Sequence, residues 1–351
     1  MVLLKRIILC IIIIIMSMNN SKASAYASSG LNGNIEKIVN VAVLLYSFDD
    51  LFMQQLKQSL ENIQNENKDM VRFTFYDGKN NIAIQNETLD SIVSGGNIDL
   101  VMANLADIRE NAVSTIINIV RLKKIPIVFL DVHPDVVSKV SKTYGKAAFI
   151  LANSNLAGTV QGNILVNLWN TDKKVLDKNN DNILQYVILH GESENPVAID
   201  RTKYSISTIN NSGIRTQQLA LVNANWLKNI ANSAINSLFL KYDGKIEAII
   251  SNNDAMAIGA IEALQKYGYN IGDASKYIAI VGIDAIPEAR DLVDKGLMTG
   301  TVVQDSKILA EVFYNVGMNL VQNLNPIENT NYKIVNEEII IPFPYEKYVK
   351  E

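Results

Sequence analysis

After Ile35 the hydrophobic period switches repeatedly between short β-branched runs and longer amphipathic stretches, and few folds satisfy that alternation. In the first half it predicts strands at 39–46, 71–76, 99–104 and 125–131, with helices at 51–64, 82–94 and 108–123 between them. The second half repeats the scheme, with strands at 148–152, 185–190, 217–222, 246–251 and 278–283. Its helices are expected at 156–169, 201–210, 226–240, 255–267 and 287–295. Such alternation builds βαβ units, hence parallel sheets with helices on both faces. Two sets in one chain predict an α/β protein of two doubly wound parallel-sheet lobes. The tail adds a strand at 298–303, a helix at 308–324 and a strand at 338–343. These are too few for a third domain, so they return to complete the lobes and form a multi-strand hinge. The expected division is 37–147 plus 305–335 for the amino-terminal lobe and 148–304 plus 336–351 for the carboxy-terminal lobe.

Composition narrows the function. With 351 residues and 48% hydrophobic content the chain can bury two cores. Its net charge of −4 argues against nonspecific nucleic-acid binding, which calls for a basic surface. One cysteine, Cys10, and two histidines, His133 and His190, leave no disulfide framework, CxxC zinc site or His-rich metal site. GxxxxGK[ST], GxGxxG after the first strand, GxSxG and HExxH motifs are all missing. A binding protein, not an enzyme, is expected. At the amino terminus Lys5 and Arg6 precede an apolar run at 7–16, followed by Ala23-Ser24-Ala25 and Ala25-Tyr26-Ala27. This is the pattern of an export signal over residues 1–27; an uncleaved membrane anchor is the alternative. Its removal leaves 29 basic against 36 acidic residues, a net charge of −7. The expected location is the periplasm or the outer face of the cytoplasmic membrane.

In open α/β sheets ligands bind beyond the carboxyl ends of the strands. Those ends carry Asp50 and Phe52, Asn104, Asn195 and Arg201, Trp226, Asn253 and Asp284. Carboxylates, amides and a guanidinium suit sugar hydroxyls, and aromatic faces suit the C–H faces of a pyranose. Each position has a structural alternative. Asp50, Asn253 and Asp254 can cap helices, Trp226 can pack in a core, and Arg201 can form a surface ion pair.

Three stretches carry a family resemblance. They are Tyr46-Ser47-Phe48-Asp49-Asp50-Leu51-Phe52-Met53, Asn253-Asp254-Ala255-Met256-Ala257 with Gly259-Ala260, and Val281-Gly282-Ile283-Asp284-Ala285-Ile286-Pro287-Glu288-Ala289. In these, and in order over the whole chain after the signal, the sequence resembles the periplasmic galactose/glucose-binding proteins of bacterial ABC transporters. The resemblance implies a periplasmic-binding-protein-like fold closing on a monosaccharide. Asp50, Phe52 and Asn104 would be contacts from the amino-terminal lobe, and Arg201, Trp226, Asn253 and Asp284 from the other, with Phe52 and Trp226 sandwiching the ring. Asn195 stands where the family has His, and Gln304 where it has Asn. Val197 departs further, replacing an Asp that bonds sugar hydroxyls near the anomeric carbon, which leaves room for a sugar derivative.

Asp177, Asn179, Asp181, Ile183 and Gln185 fall at alternate positions, as in the first nine positions of an EF-hand-like loop, where position 7 offers only its carbonyl. Asn182 takes the place of the usual glycine, and Ile188 cannot close the loop as a bidentate carboxylate. By the resemblance Glu247 supplies that carboxylate, and the loop holds a structural calcium ion. A solvated Asn/Asp-rich loop is the alternative. The partners implied are a monosaccharide and the membrane permease of an ABC transporter; a chemoreceptor or sensor kinase is the competing reading. A monomer that does not bind nucleic acid is expected.

Overall fold

The computed structural model describes residues 37–242 and 244–351; the expected export segment, 1–27, lies outside them. Lys37–Glu351 form one compact unit built on two sheets. The first sheet contains β1 (Val39–Leu45), β2 (Val71–Asp77), β3 (Leu100–Asn104), β4 (Ile127–Leu130), β5 (Ala147–Leu151), β11 (Lys333–Val335) and β12 (Glu338–Ile340). Its order is β11-β12-β5-β4-β3-β1-β2. The second contains β6 (Ile183–His190), β7 (Arg215–Asn223), β8 (Ala248–Ser251), β9 (Ala279–Val281), β10 (Gly300–Val302) and β13 (Lys347–Val349). Its order is β13-β10-β9-β8-β6-β7. The first five strands of each lobe follow one topology. Pairing is parallel except between β11 and β12 and between β10 and β13.

The helices are α1 (Leu51–Glu66), α2 (Ile82–Gly95), α3 (Glu110–Leu122), α4 (Pro134–Val140), α5 (Ser154–Thr171), α6 (Pro196–Asn211), α7 (Lys228–Tyr242), α8 (Asp254–Gln265), α9 (Pro287–Asp294) and α10 (Ser306–Val321). None is long and apolar enough to cross a membrane among the described residues. Central strands are buried on both faces, as sheets covered by helices require: β4 and β8 are buried throughout, and β1 is buried except at Asn40. In the first core Phe129 and Phe149 stack with ring centroids 5.2 Å apart. The second core gathers Ile249, Met256, Ile261 and Ile280.

Two strands lie in the lobe opposite to the one expected. The strand at 148–152 was assigned to the carboxy-terminal lobe, yet β5 pairs with β4 (Phe129 beside Phe149) in the first sheet. The strand at 338–343 was placed there too, but β12 pairs with β5 through Ile339 and Ile150. Hydrophobic runs of this kind fit either sheet; only the distant partner strand decides. The chain therefore passes between sheets after β5, after β10 and after β12. These connections are held together where Ile341 N donates to Leu151 O (3.0 Å) and Val303 N to Glu346 O (2.8 Å). Helix α6 begins at Pro196 and not at 201, because Asn195 caps it and proline suits the first turn. Helix α7 begins at Lys228 and not at 226, because Asn225 and Trp226 take left-handed φ of 50° and 66°.

Candidate functional site

The carboxyl ends of both sheets open onto one cleft with an empty volume of about 730 Å³. From the first lobe, Asp50 caps α1. Its Oδ1 accepts from Met53 N (2.8 Å) and its Oδ2 from the Tyr46 hydroxyl (2.7 Å). Capping and lining the cleft are thus not alternatives for this residue. Burial pushes its carboxyl up; the bonds from Tyr46 and the α1 amides and the charge of Arg201 oppose that shift. Phe52 follows in the first turn of α1. Asn104 ends β3, where its carbonyl accepts from Gln85 Nε2 at 2.9 Å, while its Oδ1 is buried without a partner.

From the second lobe, Arg201 projects from α6 into the centre. Its Nη1 donates to Asn252 O (2.6 Å) and its Nη2 to Gln304 Oε1 (2.7 Å), and Nη1 stands 3.9 Å from Asp284. Its guanidinium carbon lies 5.7 Å from the centroid of the Trp226 ring. Arg201 is 6% exposed, so the surface ion-pair reading does not hold. Trp226 is held by its left-handed backbone and by Asn253, whose Nδ2 donates to Trp226 O at 3.1 Å. Asn253 also caps α8 through Met256 N (3.0 Å). Asn195 caps α6, accepting from Val197 N at 3.0 Å.

Asp284 sits at φ 122°, a conformation costly for a non-glycine residue and held here by its surroundings. Its N–H donates to Val302 O (2.8 Å) and its carbonyl accepts from Gln304 N (3.2 Å). Burial pushes its carboxyl well up, and the Arg201 charge opposes this, while the nearby Asp254 and Asp50 reinforce it. Asp254 lies behind it, fully buried, accepting from Thr301 Oγ1 (2.6 Å) and Ile286 N (3.0 Å). Desolvation raises the Asp254 carboxyl to about 7.

Asp50, Phe52, Asn104, Asn195, Arg201, Trp226, Asn253, Asp284 and Gln304 all line this cleft, as does Val197. Sequence reasoning passed over Tyr46, Asp131 and Glu192. Asp131 follows β4 as Asn104 ends β3, so its strand-end position was the available signal. Its Oδ1 accepts from Ala152 N at 2.9 Å. Apolar Leu130, Leu309, Ile341 and Phe343 also line the cleft. Besides Asn104 Oδ1, the buried polar atoms left without partners include Arg201 Nε and Gln304 Nε2, which also belong to cleft-lining residues. Two donors, an acceptor, several carboxylates and two aromatic rings can hold a small polyhydroxylated molecule.

Residues 41–325 match the family described as periplasmic binding protein domain. The chain belongs to the periplasmic binding protein family. Among relatives of this family member, the D-galactose/methyl-galactoside binding periplasmic protein MglB of Haemophilus influenzae is 32% identical over 306 residues, covering 86% of this chain and 88% of its own length. A putative rhizopine-binding protein of Rhizobium meliloti is 26% identical over 262 residues, covering 74% and 77% of the two chains. The fold is also that of an ABC transporter solute binding protein from Bacillus halodurans solved with bound myo-inositol. The TM-score is 0.69 at 22% identity, over 90% of this chain and 96% of that one. All three are named as binding proteins.

Away from the cleft, the candidate metal loop of this periplasmic binding protein precedes and enters β6. Asn180 and Asn182 take left-handed φ of 59° and 62°, so Asn182 does serve in glycine's place. Asp177 accepts from Asn182 N (3.2 Å), and Asp181 from Asn179 Nδ2 (3.0 Å) and Gln185 Nε2 (2.8 Å). Glu247 reaches the loop from the start of β8, accepting from Lys178 N (2.8 Å) and Gln185 N (3.0 Å). Lys173 Nζ stands 2.9 Å from Asp177 Oδ2. Among the described residues no three His, Cys, Asp or Glu side chains stand together as a metal group. In this arrangement the loop's own amides and Lys173 satisfy the carboxylates.

Proposed function

We propose that the cleft binds a monosaccharide, galactose, glucose or a close derivative, and hands it to the membrane permease of an ABC importer outside the cytoplasm. The observation that carries this reading is the pair of unpartnered donors, Arg201 Nε and Gln304 Nε2, lining a cleft that also presents Phe52 and Trp226. A buried donor without a partner costs on the order of 1–3 kcal/mol, and a sugar hydroxyl would relieve it. The named ligands of MglB support a hexose. The permease contact rests on family membership.

The test is calorimetric titration of the purified protein with galactose, glucose, allose, ribose and myo-inositol. Saturable binding of a hexose that weakens in Arg201→Ala is the expected result. No heat and no thermal stabilisation with any of them would overturn the reading. We also propose that the loop at 177–185, closed by Glu247, holds a structural calcium ion. Its ligands would be Asp177, Asn179, Asp181, Gln185, Glu247 and the Ile183 carbonyl; its role would be to fix the loop, away from the sugar.

A further inference from the structure

The chain crosses between the lobes three times, and the first crossing is the shortest. Only Ala152 and Asn153 separate β5 from α5, against 303–305 between β10 and α10 and 341–346 between β12 and β13. The two residues of that joint are held to opposite sides. Ala152 N donates to Oδ1 of Asp131, which follows β4 in the first lobe (2.9 Å). Asn153 caps α5, accepting from Leu156 N at 3.1 Å. Helix α5 packs against α6 in the second lobe, so closely that a Cβ at Gly158 would stand 2.6 Å from Arg201 O. Rotation of one lobe against the other therefore passes through the dihedral angles of Ala152 and Asn153.

Tyr345, in the third crossing, reaches this joint. Its hydroxyl accepts from Asn153 N at 2.5 Å. The next residue, Glu346, accepts through its carbonyl from Val303 N of the second crossing (2.8 Å). Residues 345 and 346 thus tie the other two crossings together on the second-lobe side. On the first-lobe side Ile341 N ties the third crossing to Leu151 O (3.0 Å). Tyr345 is buried, its ring edge-on to the cleft-lining Phe343 with centroids 5.7 Å apart. Its φ of 48° lies in the left-handed region, which is costly for a residue with a side chain and persists only where the surroundings impose it.

Asp50 of one lobe and Arg201 and Asp284 of the other are all buried, so the cleft is closed in this structure and the hinge bonds are those of the closed form. We propose that Tyr345 is a positioning residue for ligand retention: its hydroxyl holds Asn153 N while the cleft is closed and lets it go as the lobes part. The proposal rests on the sugar-binding reading and extends it to the step that keeps the ligand in place. A bond made in one state only shifts the equilibrium toward that state. In the open form water satisfies both the amide and the hydroxyl; in the closed form the part-buried amide has the phenol as its partner. Removing the hydroxyl while keeping the ring therefore raises the free energy of the closed form and leaves the open form as it was.

The test compares the parent protein with Tyr345→Phe, which keeps the ring and its contact with Phe343. The probe is galactose, or the tightest binder among glucose, allose, ribose and myo-inositol. Stopped-flow measurement should show release about three- to tenfold faster in the variant, the worth of one hydrogen bond, with association little changed because the sugar enters the open form. A purely structural loss would lower the melting temperature and leave the release rate alone. In the parent protein, hydrogen exchange at the Asn153 amide should slow when the cleft is saturated with the same sugar. Equal release rates in the two proteins, or exchange at Asn153 indifferent to sugar, overturns this inference and leaves the sugar-binding reading standing. Absence of binding by all five compounds in the parent protein overturns that reading and this inference with it.

Discussion

Gly191 abuts the Trp226 indole so closely that a Cβ at residue 191 would stand 2.3 Å from Cζ2 of the ring. Separations under 3.0 Å force something to move. The indole is the group with room to give, because it borders the cleft. Gly191→Ala should therefore displace Trp226 and weaken monosaccharide binding. Trp226→Ala should cost at least ~1 kcal/mol, the stacking contribution of an aromatic face. Tryptophan emission in a Trp169→Phe background isolates Trp226. Unchanged emission and unchanged affinity in Gly191→Ala would contradict the assigned position of the ring.

The pH dependence of stability should report Asp254. Its carboxyl is raised from 3.8 to about 7, chiefly by burial. An acid that protonates more readily in the folded chain stabilises the fold at low pH. That contribution is complete below the unfolded value of 3.8 and is lost as pH rises to about 7. Melting temperature should fall over this window. Asp254→Asn should lower the melting temperature overall, since the bond from Ile286 N is disturbed, but flatten the slope between pH 4 and 7. An equally steep slope in the variant would show that Asp254 does not titrate there.

The amphipathic periods marked out the alternation of elements and both sets of strands, since helix and strand faces leave their mark within a few residues. What they could not carry was partnership across long sequence distances. Thus β5 and β12 read as hydrophobic runs suited to either lobe, although Ile150 pairs with Ile339 nearly two hundred positions away. Short edge strands such as Lys333–Val335 are exposed throughout and left no periodic trace. The cleft residues were legible because strand ends are predictable positions. Asp131 and Glu192 also follow strand ends, after β4 and β6, but strand-end position alone does not tell a carboxylate that lines the cleft from one that faces solvent. Asp254 was foreseen as a possible cap, but it is a buried acid bonded to Thr301 across the second lobe, a contact 47 positions away.

Calcium dependence should be visible in stability. If the loop holds the ion, chelation lowers the melting temperature of the parent protein, and Asp177→Ala or Glu247→Ala reproduces that loss and abolishes the response to chelator. Lys173 Nζ, 2.9 Å from Asp177 Oδ2, supplies the competing positive charge. Lys173→Met should therefore increase the response to added calcium. Melting curves indifferent to chelator and to calcium, in the parent protein and in the Lys173→Met variant alike, would remove the ion from the description of this loop.

Val197 should set how its part of the cleft treats a sugar. It lines the cleft at 6% exposure. An apolar wall accepts no hydrogen bond, so a hydroxyl placed against it loses a partner. Restoring an acceptor by Val197→Asp, in the first turn of α6 and one helical turn before Arg201, should tighten a free hexose by up to about 1.5–3 kcal/mol, the range for bonds to charged groups. A methyl glycoside with its methyl group on this wall should bind the same variant more weakly than the parent, because the carboxylate desolvates against the methyl group. Paired calorimetry of both proteins with a free hexose and its methyl glycoside reads the two shifts. Identical affinities in all four titrations would show that residue 197 does not meet the ligand.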